Sequence, residues 1–344
     1  MIFSAAQERR YVSADAFPLY GKISEKTLTR YERLPESLAG IVRPEIWRIG
    51  RYPAGMFIRF RSNSTCICAR WECTDKKYLN HMTPCGTRGL DLYVLENGVW
   101  RFMRSGRPGD RITDTVIISD MDSEYREYML YLSLYDGISS LEIGVDLEAE
   151  ILLPIADRPS REKPIVMYGT SILQGGCASR PGMAHTNIIS RYLDREVMNL
   201  GFSGNAFLDY EIAELMASMD NPGCFVLDYV PNASANLIRQ KGMRFFRILR
   251  DAHPEVPVIL VEAPEYSHNF YDRSNSRRID TGNAALRELY ETLKKSGEKN
   301  LYYVETRGLV GDDREASVDG VHLTDLGMLR YADHLIPVLK KALK

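Results

Sequence analysis

Apolar and polar residues alternate in two different rhythms along this chain. Up to about residue 155 the pattern is short and strand-like. Met56-Phe57-Ile58-Arg59-Phe60-Arg61 alternates, Asn63-Ser64 turns the chain, and Thr65 to Cys73 forms a second extended run. Leu90-Asp91-Leu92-Tyr93-Val94-Leu95 follows, and Glu96-Asn97-Gly98 reads as a hairpin turn into Val99-Trp100-Arg101-Phe102. Arg126 to Leu134 and Ser140 to Leu152 supply further strands around Tyr135-Asp136-Gly137. Short strands with polar turns predict an antiparallel sandwich.

After Pro154 the rhythm lengthens. Apolar runs recur at 164–168, 196–201, 224–230, 256–263 and 301–304. Helical patterns lie between and after them, at about 184–194, 206–219, 235–252, 275–296 and 324–343. Strands alternating with helices predict a parallel sheet covered on both faces, with its functional residues at the carboxyl ends of the strands. The polar stretch Ala156 to Glu162 reads as a linker. The expected division is therefore a β-sandwich domain over 1–155 and an α/β domain over 156–344.

Composition narrows the classes without choosing among them. The 344 residues are 44% hydrophobic and 26% charged, with a formal net charge of −2. That balance gives no electrostatic reason to expect nucleic acid or an anionic membrane as partner. No apolar stretch reaches membrane-spanning length. The opening residues, Met1 to Arg10, lack a basic lead followed by an apolar core, so the expectation is a cytoplasmic protein without a secretory leader. The six cysteines show neither zinc-site spacing nor a small-domain disulfide framework. Cys66 and Cys68 are expected to point to one face of a strand as buried thiols. The sequence does not set the oligomeric state; a homodimer is one option.

The chemistry lies in the second half. Ile165 to Tyr168 stops at Gly169-Thr170-Ser171, which is how a buried strand delivers a serine ahead of a helix. Asp319-Gly320-Val321-His322 places an acid three residues before an imidazole, and Thr324 follows as a plausible cap of the closing helix. Ser171 would be the nucleophile, His322 the general base and Asp319 the group that orients it. The backbone N–H groups of Ser171 and Gly201 and the side-chain amide of Asn232 are the expected oxyanion donors. Blander roles stand beside these: Ser171 as a helix cap, His322 as a loop histidine, Asn232 as a turn former. Asp319 and His322 as metal ligands would need a third partner that the sequence does not display. No metal or cofactor is expected. Asp228 reads as a buried, hydrogen-bonded acid, and Asp91 and Tyr93 as braces of the sandwich. Arg180 could orient a sugar hydroxyl or form a structural ion pair. Tyr266, Phe270 and Tyr271 could form a sugar platform or pack their loop.

These blocks together resemble the SGNH (GDSL-type) hydrolase superfamily. Its four name-giving residues map onto Ser171, Gly201, Asn232 and His322, with Asp319 as the acid. Ser171 stands in Gly-Thr-Ser rather than the commoner Gly-Asp-Ser. Gly89-Leu90-Asp91-Leu92-Tyr93 resembles the G-x-D-L-Y signature of an N-terminal β-domain that precedes one branch. Gln174 to Gly182 and Gly201 to Asn205 resemble that branch too. The resemblance implies a flavodoxin-like three-layer α/β/α domain on a five-stranded parallel sheet, preceded by a jelly-roll-like sandwich. It also implies ester hydrolysis, or occasionally acyl transfer, without a cofactor. Two-domain members include carbohydrate acetylesterases. The implied substrate is therefore a small-molecule or oligosaccharide ester, with acetyl groups on mannan or xylan fragments foremost. Lipase-like action on longer acyl chains and acyl transfer are the alternatives.

Overall fold

The computed structural model describes residues 8–344. Residues 1–7, part of the stretch read above for a secretory leader, lie outside the described residues. The first half contributes ten strands, β1 (Arg9–Ser13), β2 (Leu19–Tyr20), β3 (Phe57–Ser62), β4 (Ile67–Cys73), β5 (Leu90–Glu96), β6 (Val99–Gly106), β7 (Ile112–Ile118), β8 (Arg126–Tyr131), β9 (Ile138–Asp146) and β10 (Ile151–Leu152). Two short helices interrupt them, α1 (Pro44–Gly50) and α2 (Pro84–Arg88). One antiparallel sheet runs β1-β9-β4-β7 and the other β10-β3-β8-β5-β6, with β2 paired to β3. The β5–β6 hairpin turns at Asn97 and Gly98, both at positive φ, as a two-residue turn matched to strand twist requires.

Alternation explains why the second sheet is buried on both faces. Leu90, Leu92 and Val94 of β5 join Ile58, Phe60, Tyr128 and Leu130 against Ile67, Ala69, Trp71 and Ile143 of the facing sheet. The intervening residues point the other way. Phe57, Tyr93, Met129 and Tyr131 form a separate aromatic cluster with Tyr20 and Trp100. That outer face meets the second half: the Tyr131 hydroxyl donates to the Asn187 carbonyl, and the Arg191 guanidinium lies 4.4 Å from the Tyr93 ring centroid. Cys66 and Cys68 share a face, their sulfurs 3.4 Å apart, and both are buried.

The second half contains β11 (Ser160–Gly169), α3 (Ser171–Gln174), α4 (His185–Leu193), β12 (Arg195–Gly201), α5 (Tyr210–Ala217), β13 (Cys224–Asp228), α6 (Ala235–Ala252), β14 (Val258–Val261), α7 (Arg273–Lys295), β15 (Leu301–Val304) and α8 (Asp325–Ala342). Its sheet is five-stranded and wholly parallel in the order β12-β11-β13-β14-β15. Helices α4 and α8 pack together, as do α5, α6 and α7 in turn, which gives the α/β/α layering. The order reverses at β11, so the crevice beyond its carboxyl end is the place where such sheets bind ligands.

The division expected at 155/156 needs an amendment. Leu34, Val42, Ile46, Ile49, Tyr52 and Ala54 belong to the core of the second half, although they precede the sandwich strands β3 to β10. Arg33 ties this segment down: its buried guanidinium donates to the carbonyls of Tyr52, Ile49, Asn199 and Gly201. Removal from water pulls its pKa down to about 9. The linker is also shorter than expected, since β11 begins at Ser160 and Ser160 pairs with Arg195.

A buried polar group sits within the second half. The Tyr331 hydroxyl donates to Asp228 at 2.7 Å, and the His185 ring stacks on Tyr331 with centroids 4.5 Å apart. Burial pushes the Asp228 carboxyl up to about 7, against the Tyr331 hydrogen bond, and pushes the His185 imidazole down to about 3. Neither His185 ring nitrogen has a hydrogen-bond partner among the described residues. The two groups tilt stability in opposite directions. Folded Asp228 keeps a proton that the unfolded chain releases near pH 4, so its contribution is present below that pH and lost as pH rises through about 7. Folded His185 refuses a proton that the unfolded chain takes up near pH 6.5, so its contribution is lost as pH falls toward about 3. Urea unfolding at a series of pH values should therefore show stability rising toward neutrality in Asp228→Asn and falling toward neutrality in His185→Phe, relative to the parent. Parallel pH profiles for all three proteins would contradict these assignments.

Candidate active site

Ser171 opens a helix of only four residues, too short to hold itself together. Local and distant bonds hold it. Thr170 Oγ1 caps it by accepting from the Ile172 N–H, and Gly175 ends it at φ +107°, a left-handed conformation that favours glycine. The Gly176 N–H and the Tyr135 hydroxyl both donate to the Ser171 carbonyl, at 2.7 and 3.0 Å. Gln174 donates to the Leu134 carbonyl and accepts from the Ser203 N–H. The sandwich half thus grips the serine-bearing turn directly.

Ser171 Oγ lies 2.9 Å from His322 Nε2, and His322 Nδ1 lies 2.7 Å from Asp319 Oδ2. The other Asp319 oxygen accepts from the backbone N–H groups of Val321 and His322. Partial burial pushes the Asp319 carboxyl up, but these hydrogen bonds outweigh it and hold the pKa below the ordinary carboxylate value. Gly320 bends the turn at φ +92°, and its carbonyl is 2.9 Å from His268 Nδ1. Thr324 caps α8 by accepting from the Gly327 N–H.

A cavity of about 300 Å³ opens over this array, lined by Thr170, Ser171, Ile172, Ser203, Gly204, Pro231, Asn232, Tyr266, Arg278, Val321 and His322. The Asn232 side chain is oriented by its neighbour: Oδ1 accepts from the Ala206 N–H at 3.2 Å, which leaves the amide Nδ2 to face elsewhere. Gly201 does not take the place expected of it. It is still part of β12, its N–H donates to Asn199 Oδ1 at 2.9 Å, and it does not line the cavity. What its lack of a side chain serves is packing, because a Cβ there would sit 2.2 Å from the Gln174 backbone nitrogen. The glycine on the cavity wall is Gly204, three residues on, at φ +68° with open space around it.

The remaining candidates separate cleanly. Arg180 forms an ion pair with buried Asp91 at 2.8 Å and also donates to the Tyr93 hydroxyl, while the Gly182 N–H donates to Asp91. Asp91 and Tyr93 therefore bolt the sandwich to the loop after the serine rather than bracing the sandwich alone. Tyr266 lines the cavity, whereas Phe270 and Tyr271 are exposed near Arg314 and lie off it. Two neighbours had no visible signal in the sequence: the His81 ring lies 5.2 Å from that of His322, and Cys177 joins Asp319 in the same cluster.

The sequence profile of the GDSL-like lipase/acylhydrolase family matches residues 162–340, and that of the GxDLY N-terminus of SGNH-hydrolase-type esterases matches residues 10–151. A chain from Bacteroides ovatus described as a GDSL-like lipase is 35% identical, with 98% of each chain covered and a TM-score of 0.93. The chain belongs to the GDSL-like lipase/acylhydrolase family. The fold also matches a salicylyl-acyltransferase from a tetracycline biosynthetic pathway, with 16% identity, 98% and 99% coverage and a TM-score of 0.75. A family two carbohydrate esterase from Cellvibrio japonicus matches with 13% identity, 98% coverage of each chain and a TM-score of 0.61. No curated protein sequence matches this GDSL-like chain. No helix among its described residues is long and apolar enough to cross a membrane.

The two glycines of the Gly201–Asn205 segment should respond differently to an added methyl group. Gly201→Ala forces the β12 end away from α3 and should lower the unfolding free energy by about 3 kcal/mol, the upper end for overpacking. Gly204→Ala meets no neighbour and should lose only about 1 kcal/mol, from backbone strain. Urea denaturation measures both, and equal losses would contradict the assignment of packing to one glycine and exposure to the other.

Proposed function

We propose that this chain is a serine esterase that removes short acyl groups, acetyl foremost, from carbohydrate. The observation that carries the reading is the continuous hydrogen-bonded line from Ser171 Oγ through His322 to Asp319, on the wall of an open cavity. Ser171 attacks the ester carbonyl carbon while its proton passes to His322 Nε2. The negative charge that forms on the carbonyl oxygen meets the N–H groups of Ser171 and Gly204 and the amide of Asn232. Collapse breaks the bond to the alcohol, which leaves with the proton from His322. Water then attacks the acyl-serine through the same base and frees the acid. Asp319 holds the ring and balances the charge it gains.

Cavity size favours a short acyl group. A volume of about 300 Å³ suits a short acyl group, and Thr170, Ser203, Asn232 and Arg278 set polar groups for a hydroxylated leaving group beside the apolar Ile172, Pro231 and Val321. The alternatives remain an esterase for longer acyl chains and an acyltransferase in which an alcohol replaces water. The architecture's occurrence in both a carbohydrate esterase and an acyltransferase gives the second its place.

Mass spectrometry of acetylated mannan and xylan oligosaccharides before and after incubation tests the proposal. Loss of acetyl mass is expected with the parent protein, with Ser171→Ala slower by at least about a thousandfold. Asn232→Ala should lower kcat by about a hundred- to a thousandfold. Undiminished turnover by Ser171→Ala would overturn the nucleophile assignment. A rate that peaks at octanoyl rather than acetyl model esters would overturn the acetyl preference, and transfer to an added alcohol in place of release would favour the acyltransferase.

A further inference from the structure

Beside the serine, four side chains from three separate segments converge. His81, Cys177, Asp319 and His322 each present one possible ligand atom, and these atoms all lie within 4.8 Å of one another. His81 comes from the loop before α2, Cys177 from the turn after α3, and the other two from the loop before α8. Two imidazoles, a thiol and a carboxylate are the donor types that hold Zn²⁺. Metal–ligand bonds of about 2.0–2.3 Å set tetrahedral ligand separations of roughly 3.3–3.8 Å, so side-chain rotations of about an ångström would close the cluster on an ion. A thiolate and a carboxylate together balance a divalent charge.

The cluster is also reachable and prearranged. Asp319 is exposed, His81 and His322 are partly so, and Cys177 is the buried member. Cys177 holds φ +68°, an uncommon backbone conformation for a residue other than glycine. Its sulfur lies 3.3 Å from the His81 carbonyl, which couples the two segments.

We propose that these four residues form an inhibitory site for Zn²⁺, whose occupation switches the esterase off. The inhibition rests on the catalytic reading of His322; the binding does not. Coordination through His322 Nε2 would displace the hydrogen bond to Ser171. Coordination through Nδ1 would put the ring proton on Nε2, facing Ser171 as a donor. Either way Ser171 loses the acceptor for its proton. Binding releases the thiol proton to water and moves no electron, and the metal-free protein is the active form.

The test uses the full chain, stripped with EDTA and dialysed. Zinc should inhibit ester hydrolysis, with activity restored by added EDTA. His81→Ala and Cys177→Ser should each keep the metal-free rate and shift inhibition to at least about tenfold higher zinc, a conservative figure given the cost of losing even an outer partner of a ligand. Co²⁺ should give a thiolate-to-metal charge-transfer band that Cys177→Ser abolishes. If no ester is turned over, this band still decides the binding site independently of the enzyme reading. Inhibition of both variants at the parent's zinc concentration, or Co²⁺ binding without a thiolate band, would overturn the proposal.

Discussion

The structure depends on the anchoring of a four-residue helix. Ser171–Gln174 has too few internal hydrogen bonds to persist alone, yet its first residue must meet an imidazole 151 positions away in sequence. The necessary order is imported. Tyr135 holds the Ser171 carbonyl, Leu134 holds Gln174, and Ser203 completes the bracket from the end of β12. The same close approach excludes any side chain at Gly201, so sheet packing and serine placement are one constraint.

That constraint gives the sandwich a mechanical role. One face of its larger sheet packs its own core, and the other carries Asp91, Tyr93 and Tyr131 to the second half. Asp91 accepts from Arg180, the Gly182 N–H and Ser105, so an acid wholly removed from water has partners on both of its oxygens. A buried charge is tolerable only when paired in this way. The loop from Gly175 to Gly182, which begins where the serine helix ends, is thereby fixed from the sandwich side. The first half of the chain shapes the site without supplying a residue of the Ser171–His322–Asp319 line.

Periodicity made the elements legible. The helical pattern over 235–252 coincides with α6, and the apolar runs of the second half coincide with the five parallel strands. The strand-end rule accounts for Ser171 at the carboxyl edge of β11, whereas His322 lies well beyond the end of β15, in the loop before α8. Spacing could not show what depends on tertiary closure. Arg33 and the segment around it carry no period, so their membership in the second core was invisible. Gly201 and Gly204 stand three residues apart in one motif; only the position of the strand end, which commits the Gly201 amide to Asn199, separates packing from exposure. His81 and Cys177 reach the site through loops, where sequence distance says nothing about contact.

Covalent capture addresses the central claim most directly, because it reads the reactivity of one oxygen without assuming a substrate. Intact-protein and peptide mass spectrometry after exposure to a fluorophosphonate should show a single adduct on Ser171, formed rapidly in the parent and suppressed in His322→Ala. An adduct on another residue, or labelling of Ser171 that is indifferent to the loss of His322, would contradict an activated serine at this site.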